Sequence, residues 1–373
     1  MPEKSVTVES LTKRFRDVVA VNNICFDVDK GDFFVMIGPS GCGKTTTLRC
    51  IAGLEKPDSG TISIEGRDVT GVPTNERNIS LIFQNFALFP HKTVAGNIAF
   101  GLRMKGQDPN KIKTNLEESL KLAGLEGLGG RYPRELSEGQ KQRVALARSL
   151  IVEPGVLLLD EPLGSIDYLL QQRMLVELKE LHQRLGLTFI YVTHSQEQAL
   201  SLAHTIMVMN QGVIEQIGSP DEIYSRPKTV FVAKFVGEIN MLRGDSSTSG
   251  NVVRVKTDLG EFESDLRDAV LTTKQVAYAI RPEKIFIGEE ATKCANRVTA
   301  RLIEQIYKGS DMLYVFELQN GTEFRVTKQG DSIVDLSDVR DQVLLGWNRP
   351  DALVLDKPSA VEGIDIDRVL LGE

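Results

Sequence analysis

The sequence predicts an α/β domain wound around a parallel sheet, followed by a small all-β domain. The first observation is a glycine-rich turn, GPSGCGKTT (38–46), that follows an apolar run and precedes an apparent helix. The second is an alternation of apolar runs and amphipathic stretches before residue 236, which is typical of strands alternating with helices. The third is a series of short β patterns after residue 251, among them FELQNGTEFRV, whose Asn-Gly pair indicates a hairpin. Short strands with glycine turns favour a small barrel.

Composition narrows the class of protein. A length of 373 residues predicts two or three domains, and a net charge of −7 argues against a general nucleic-acid binder. The four cysteines show no metal-binding spacing, so we expect reduced thiols. The N-terminal residues lack a signal-peptide pattern, and no apolar run approaches the ~18 residues of a membrane helix. If the protein works at a membrane, we expect a partner to supply the span.

The glycine-rich turn has the pattern of a phosphate-binding P-loop. Its order of strand, glycine loop and helix directs backbone N–H groups and a helix N-terminus at one anion. The pattern predicts that Lys44 reaches the β- and γ-phosphates and that Thr45 gives its hydroxyl to Mg²⁺. A chance glycine turn is the alternative, and the flanking pattern disfavours it. The predicted nucleotide contacts in this loop are Gly38, Ser40, Gly41, Cys42, Gly43, Lys44, Thr45 and Thr46.

A second apolar run, GVLLLDEP (155–162), ends in two carboxylates. On a buried parallel strand they would lie at the carboxyl end, where ligands of open α/β sheets bind. Asp160 suits a position near Mg²⁺, and Glu161 suits a base that orients the attacking water. A capped turn is the alternative, and the P-loop makes the functional interpretation stronger.

The stretch before that strand predicts a capped helix. Ser137 and Gln140 form an S-x-x-Q capping box ahead of an apolar face. With Gly139 beside it, this helix N-terminus could form a second anion site. The alternative is that Ser137 only caps its helix.

The longer phrase LSEGQKQRVALARSL, followed by VLLLDEPLGSID, resembles the signature and Walker B regions of ATP-binding cassette (ABC) ATPases. The resemblance implies that ATP contacts Ser137, Gly139 and Gln140, with Glu161, His194 and Gln84 as catalytic residues. It also implies Thr45, Gln84 and Asp160 around Mg²⁺. Phe15 matches the aromatic residue that stacks on adenine, where the family usually has Tyr, and Asp167 matches the D-loop aspartate.

Two departures from the family pattern stand out. Glu138 replaces the first glycine of the usual LSGGQ signature. A carboxylate facing the γ-phosphate would repel it, so Glu138 either points away or slows the ATPase. The D-loop is also unusual, with Gly164-Ser165-Ile166 before Asp167.

The resemblance implies specific partners. One P-loop and one signature per chain imply a head-to-tail pair of copies that encloses two ATP molecules. It further implies integral membrane permease subunits and, indirectly, an extracytoplasmic solute-binding protein, with no nucleic acid. We expect the permease to dock on an exposed apolar cluster of Phe86, Leu88 and Phe89; the alternative is a core segment of the helical subdomain.

Cys42 lies within the P-loop, beside the N-terminus of the predicted helix. A thiol at such a position can become more reactive. We therefore expect an alkylating reagent to inhibit hydrolysis and ATP to protect.

The predicted domain division is 1–237 for the nucleotide-binding domain, with a helical subdomain at about 95–155, and 238–373 for the C-terminal domain. Serine, glycine and threonine are dense at 236–251, which predicts a loop at the boundary. RPEKI and GWNRPDALVL resemble the OB-like accessory domain of importer ATPases, which implies dimer support and regulation.

The solute is the least determined feature. FVGEIN, after the ATPase core, resembles spermidine/putrescine importer ATPases and implies a protein bound peripherally at the cytoplasmic face of the inner membrane. A sugar, ferric iron or another small solute is the alternative, with a soluble cassette ATPase or an exporter cassette as rival classes.

Overall fold

The structure is a computed structural model that describes residues 3–164, 167–266, 271–336 and 342–361. Its contacts divide the chain into two units, residues 1–220 and 221–373, and each is described by itself. In the described part of the chain, no helix has both the length and the apolar character needed to cross a membrane.

The first unit contains strands and helices in alternation. Its strands are β1 (Lys4–Phe15), β2 (Val18–Asp29), β3 (Phe33–Ile37), β4 (Ser59–Ile64), β5 (Arg67–Asp68), β6 (Ile79–Ile82), β7 (Val156–Asp160), β8 (Thr188–Val192), β9 (Thr205–Asn210) and β10 (Val213–Gly218). Its helices are α1 (Lys44–Ala52), α2 (Val94–Ile98), α3 (Phe100–Met104), α4 (Pro109–Leu122), α5 (Glu138–Leu150), α6 (Tyr168–Leu185) and α7 (Gln196–Leu202), and α8 (Pro220–Ser225) spans the division between the units.

A central sheet positions the candidate site. Over the described residues its strand order is β10-β9-β3-β8-β7-β6, and β3, β8, β7, β6 and β9 pair in parallel. Every residue of β3, β7 and β8 is buried, as their uninterrupted apolar runs predict for strands covered on both faces. The carboxyl ends of β3, β8, β7 and β6 therefore meet at one edge.

A smaller antiparallel sheet, in the order β2-β1-β4-β5, completes the core of this unit. Val6, Val21 and Ile62 from this sheet share a buried cluster with Met36 and Leu158 from the central sheet. The two sheets thus pack around one hydrophobic core.

The helical subdomain lies between β6 and β7, as the sequence predicts. Ile112, Leu116 and Leu120 of α4, spaced four residues apart, pack with Val94 of α2 and Val144 of α5. Asp108 caps α4 with its side chain, and Pro109 takes the first helical position, which removes an N–H that would have no partner.

The second unit is mostly antiparallel β structure. Its elements are α9 (Val230–Phe235), β11 (Asn240–Ser249), β12 (Val252–Thr257), β13 (Gly260–Asp265), β14 (Gln275–Ile280), β15 (Phe286–Ile287), β16 (Asn296–Tyr307), β17 (Asp311–Leu318), β18 (Glu323–Gln329), β19 (Gln342–Trp347) and β20 (Ala352–Leu355). Within the described ranges they form two five-stranded sheets, β13-β12-β11-β14-β20 and β15-β19-β16-β17-β18. Both sheets contribute to one core, where Trp347 donates to the Tyr278 hydroxyl over 2.8 Å, so the predicted small all-β domain is confirmed.

Two sequence predictions for this unit have different outcomes. The hairpin at Asn320-Gly321 is confirmed, because β17 pairs with β18 across it and Gly321 adopts φ 83°. The predicted loop at 236–251 is wrong over Asn240–Ser249, which is strand β11. β11 pairs with both β12 and β14, and this backbone pairing outweighs the low strand propensity of its serine- and glycine-containing sequence.

Candidate active site

The P-loop connects the end of β3 to the start of α1. Gly38, Gly41 and Gly43 adopt φ values of 155°, 78° and 107°, conformations that side chains rarely tolerate. A Cβ on Gly38 would lie 2.2 Å from the Met209 carbonyl oxygen, and one on Gly43 would lie 2.4 Å from the Ala20 carbonyl oxygen. The loop therefore needs glycine for its backbone conformation and also for its close packing against β9 and β2.

Lys44 and Thr45 begin α1 and face the loop and the end of β7. The Lys44 ammonium is buried and donates to the carbonyl oxygens of Gly38 (2.7 Å) and Pro39 (2.9 Å). The Thr45 hydroxyl donates to Asp160 Oδ1 over 3.1 Å. The structure thus brings together the two motifs from which the sequence predicts a nucleotide site.

Asp160 is 9% exposed, and burial raises the pKa of its carboxyl, although the hydrogen bond from Thr45 acts in the opposite direction. A buried carboxylate of this kind is stabilised by a cation. Among the described residues, no group of three or more His, Cys, Asp and Glu side chains could hold a metal ion. A hydroxyl beside one carboxylate nevertheless fits Mg²⁺ of the P-loop type, which takes few protein ligands together with substrate phosphates.

Glu161, His194 and Gln84 follow β7, β8 and β6, and the sheet brings them together. His194 Nδ1 lies 3.4 Å from Glu161 Oε2. A Cβ on Gly164 would lie 3.4 Å from Gln84 Nε2 and 3.8 Å from Glu161 Oε2, so both side chains border this glycine. The arrangement places an imidazole and an amide close to one carboxylate, and all three groups can bind a water molecule or a phosphate oxygen.

The local backbone directs Glu161 into the site. Glu161 adopts φ 46°, which is uncommon for a residue other than glycine, and its N–H donates to the Val192 carbonyl over 3.0 Å. The Glu161 carbonyl in turn accepts a bond from the Gly164 N–H at 3.1 Å.

Sequence reasoning missed the buried network behind His194. The Gln198 amide oxygen accepts hydrogen bonds from the hydroxyls of Tyr191 (2.8 Å) and Thr193 (2.7 Å). The Ser195 N–H donates to the Thr193 hydroxyl over 3.0 Å. These bonds fix the turn that carries His194; the only sequence signal is a glutamine four residues after that histidine.

The signature residues lie at the exposed start of α5. The predicted capping box is present, since the Gln140 N–H donates to Ser137 Oγ (3.3 Å) and the Ser137 N–H donates to Gln140 Oε1 (3.0 Å). In the described chain no hydrogen bond joins Ser137, Gly139 or Gln140 to the P-loop. Glu138 Oε1 forms an ion pair with Lys141 Nζ on the same helix, at 2.6 Å, and this contact partly neutralises the carboxylate charge.

Comparison with known proteins gives near full-length relatives. The spermidine/putrescine import ATP-binding protein PotA of Nitrosospira multiformis is 41% identical over 94% of this chain and 98% of its own length. The protein of the same name from Trichormus variabilis is 43% identical over 94% and 93%, and that from Pseudomonas aeruginosa is 44% identical over 84% and 88%. The ABC transporter family matches residues 21–164, and the TOBE domain family matches residues 278–355.

The chain belongs to the ABC transporter ATPases. A solved relative, the ATP-binding cassette MJ0796 in a dimeric post-hydrolysis state bound to ADP and Pi, superposes with a TM-score of 0.51. It is 29% identical and covers 58% of this chain and 98% of its own. The predicted fold class and ATPase activity are therefore confirmed.

Other predicted site residues of this ABC ATPase lie around the P-loop or on the surface. Phe15 ends β1 and is 43% exposed, with the Lys13 ammonium 5.0 Å from its ring centroid. Ser40 is exposed in the loop, and Thr46 is half-buried in α1. Asp167 caps α6 through a 3.0 Å bond from the Leu170 N–H. Ser165 and Ile166 of the D-loop lie outside the described residues.

Two expectations for this ABC ATPase do not fit the structure. Cys42 is 3% exposed and burial raises the pKa of its thiol, which opposes the activation expected beside a helix N-terminus; the effect of alkylation on hydrolysis stays a prediction. Phe86 is 2% exposed, and Leu88 packs on the core of the helical subdomain. Phe89 is half-buried against Phe100, with ring centroids 4.6 Å apart. The three residues are therefore not an exposed docking cluster, and the core alternative fits Phe86 and Leu88.

Proposed function

We propose that this chain is the ATP-hydrolysing subunit that powers an ABC importer for polyamines of the spermidine and putrescine class. The observation that carries the catalytic part is that Glu161 borders Gly164 together with Gln84 and lies 3.4 Å from His194; it directly follows Asp160, which accepts the hydrogen bond from Thr45. The polyamine part rests on near full-length likeness to proteins named spermidine/putrescine import ATP-binding proteins.

Each part of the site has a role in ATP hydrolysis. The P-loop N–H groups and Lys44 bind the phosphates of ATP, and Phe15 stacks on adenine. Glu161 accepts a proton from the attacking water, and His194 contacts the γ-phosphate. Thr45, Asp160 and Gln84 would hold Mg²⁺, which when bound neutralises charge on the β- and γ-phosphates.

A second copy of the chain completes the site in this proposal. The signature residues Ser137, Gly139 and Gln140 lie at the solvent-accessible start of α5, and a helix N-terminus of this kind favours contact with phosphate. Their exposure supports a head-to-tail dimer in which this helix covers ATP on the P-loop of the partner. The Glu138–Lys141 ion pair supports the interpretation that Glu138 points away from that phosphate.

The remaining partners follow from the importer assignment. Permease subunits supply the membrane span, an extracytoplasmic protein delivers the solute, and this chain binds peripherally at the cytoplasmic face. Residues 1–237 would hydrolyse ATP and residues 238–373 would regulate; this division stays a prediction.

The experiment compares Glu161→Gln with Glu180→Gln, an exposed carboxylate on α6. Glu161→Gln should bind ATP normally but hydrolyse it at least about 100-fold more slowly, since a general base contributes roughly 10²–10⁴-fold. Cells that lack their own polyamine import should regain radiolabelled spermidine uptake with the wild type and Glu180→Gln, and not with Glu161→Gln. Undiminished turnover in Glu161→Gln would disprove the role of Glu161 as general base. If the wild type restores uptake of a sugar or ferric iron but not of spermidine, the polyamine assignment is wrong.

A further inference from the structure

Arg148 of helix α5 makes a two-pronged contact with the loop that follows Gln84. Its Nη2 donates to the Phe86 carbonyl over 2.7 Å, and its Nη1 donates to the Ala87 carbonyl over 2.8 Å. The guanidinium carbon also lies 5.5 Å from the centroid of the Phe89 ring. Among the described residues Arg148 has no ion pair, so its polar contacts are these two carbonyl oxygens.

The loop that Arg148 holds has an uncommon backbone. Phe86 and Ala87 adopt φ values of 60° and 43°, two consecutive left-handed residues of which neither is glycine. Such conformations persist only where surrounding contacts enforce them. Here the Phe86 ring is buried, and the Phe86 N–H donates to the Phe83 carbonyl over 2.9 Å. The planar fork of arginine fits two adjacent oxygens, which the single ammonium of lysine cannot match.

This contact connects helix α5 to the loop that follows Gln84. Gln84 lies between the end of β6 at Ile82 and the strained pair Phe86–Ala87, so its position depends on both anchors. The strand fixes one anchor, and Arg148 fixes the other. Arg148 belongs to the same helix that starts with the signature residues, so a displacement of α5 would move this anchor.

We infer that Arg148 is a positioning residue, which holds the strained turn at Phe86–Ala87 and thereby places Gln84 against Gly164 and Glu161. The inference rests on the proposed role of Gln84 at Mg²⁺. In this inference the planar, two-pronged geometry of the guanidinium holds the turn, and a positive charge alone would not be sufficient.

The test compares Arg148→Lys with Arg143→Lys. Arg143 lies on the same helix but donates to Glu177 of α6 over 2.6 and 3.2 Å, away from the loop. The first readout is amide hydrogen exchange of the peptide 83–89 in the nucleotide-free chain. Arg148→Lys should speed exchange there by at least about tenfold, and Arg143→Lys should leave it unchanged.

The second readout is the Mg²⁺ concentration for half-maximal ATP hydrolysis. Loss of a residue that orients a metal ligand typically costs 10- to 100-fold in metal affinity or activity. Arg148→Lys should raise the half-maximal concentration about tenfold. In a Gln84→Ala background, Arg148→Lys should raise this Mg²⁺ concentration by less than about a further twofold, because Arg148 acts through Gln84.

The outcomes separate the two proposals. If Gln84→Ala leaves the Mg²⁺ dependence unchanged, the proposed role of Gln84 fails. If Gln84→Ala shifts it but Arg148→Lys leaves both readouts at wild-type values, or if the two effects multiply fully, the inference about Arg148 is wrong. Should Arg148→Lys fail to fold, Phe89→Leu removes the ring against the guanidinium and should give smaller changes in the same direction; unchanged exchange would then overturn the inference.

Discussion

Gly43 offers a sharp test of why the P-loop needs glycine. A Cβ at this position would stand 2.4 Å from the Ala20 carbonyl oxygen, about 1 Å inside ordinary contact. The residue also has φ 107°, so Gly43→Ala combines a clash with backbone strain. Gly66→Ala is the matched control, because Gly66 has φ 75° and nothing within 4 Å of its Cβ position.

The two variants should differ in stability and, more strongly, in nucleotide binding. Backbone strain costs each variant roughly 1–3 kcal/mol, and the clash adds roughly 1–3 kcal/mol for Gly43→Ala alone. Relief of the clash requires the loop to shift by about 1 Å, and a misplacement of this size can cost about 100-fold in catalysis. We expect Gly43→Ala to lower kcat/KM by about that factor and Gly66→Ala to leave it unchanged.

The assay combines ATP hydrolysis, ATP affinity by titration calorimetry and thermal unfolding. Each kcal/mol should lower Tm of a unit of this size by about 2–4 °C. Wild-type affinity and turnover in a folded Gly43→Ala protein would refute the packing argument. Equal loss of activity in Gly66→Ala would show that the measured effect is general destabilisation.

Three further predictions concern buried groups. Iodoacetamide should label exposed Cys25 well before Cys42, as mass spectrometry of timed samples would show; faster labelling of Cys42 would contradict its burial and raised pKa. Burial, with a smaller effect from a neighbouring histidine, lowers the pKa of His182 below 6.5, so its unfolded state binds more protons below that pH. Its contribution to stability is complete above pH 6.5 and is lost as pH falls towards the folded pKa. Urea unfolding at pH 7.5 and 5.5 should therefore show a smaller acid loss for His182→Phe than for the wild type, and an equal loss would disprove the assignment. Arg281, 4% exposed, donates to several backbone carbonyls, so Arg281→Met should destabilise the second unit by about 3 kcal/mol or more, read from Trp347 fluorescence during unfolding; a change below about 1 kcal/mol would disprove this.

Local patterns predicted those features that depend on neighbouring residues in the chain. The P-loop, the capping box at Ser137 and the hairpin at Asn320-Gly321 each follow from a few adjacent residues, and the structure has all three. The spacing of Ile112 and Leu116 likewise predicts the buried face of α4.

Predictions failed where distant residues decide the environment. Cys42 lies at a helix N-terminus, but burial dominates its pKa, and no local pattern encodes that burial. Phe86 was expected to be exposed because it clusters in the sequence with Leu88 and Phe89. It is buried in a turn with two left-handed residues, and Arg148, which is far away in sequence, donates to its carbonyl.

The proposed catalytic residues show the same division between residue identity and position. Sequence motifs identify Gln84, Glu161 and His194, but their convergence depends on β6, β7 and β8 being neighbours in the sheet. β7 pairs with both β6 and β8 in parallel, so all three strands end at one edge, and Glu161 follows the middle strand of the three. A different strand order with the same motifs would separate them by at least one more strand, about 4.8 Å. His194 Nδ1 now lies 3.4 Å from Glu161, and such a separation would remove that contact. The pairing of β7 with both neighbours is therefore as necessary to the site as the residues that its motifs carry.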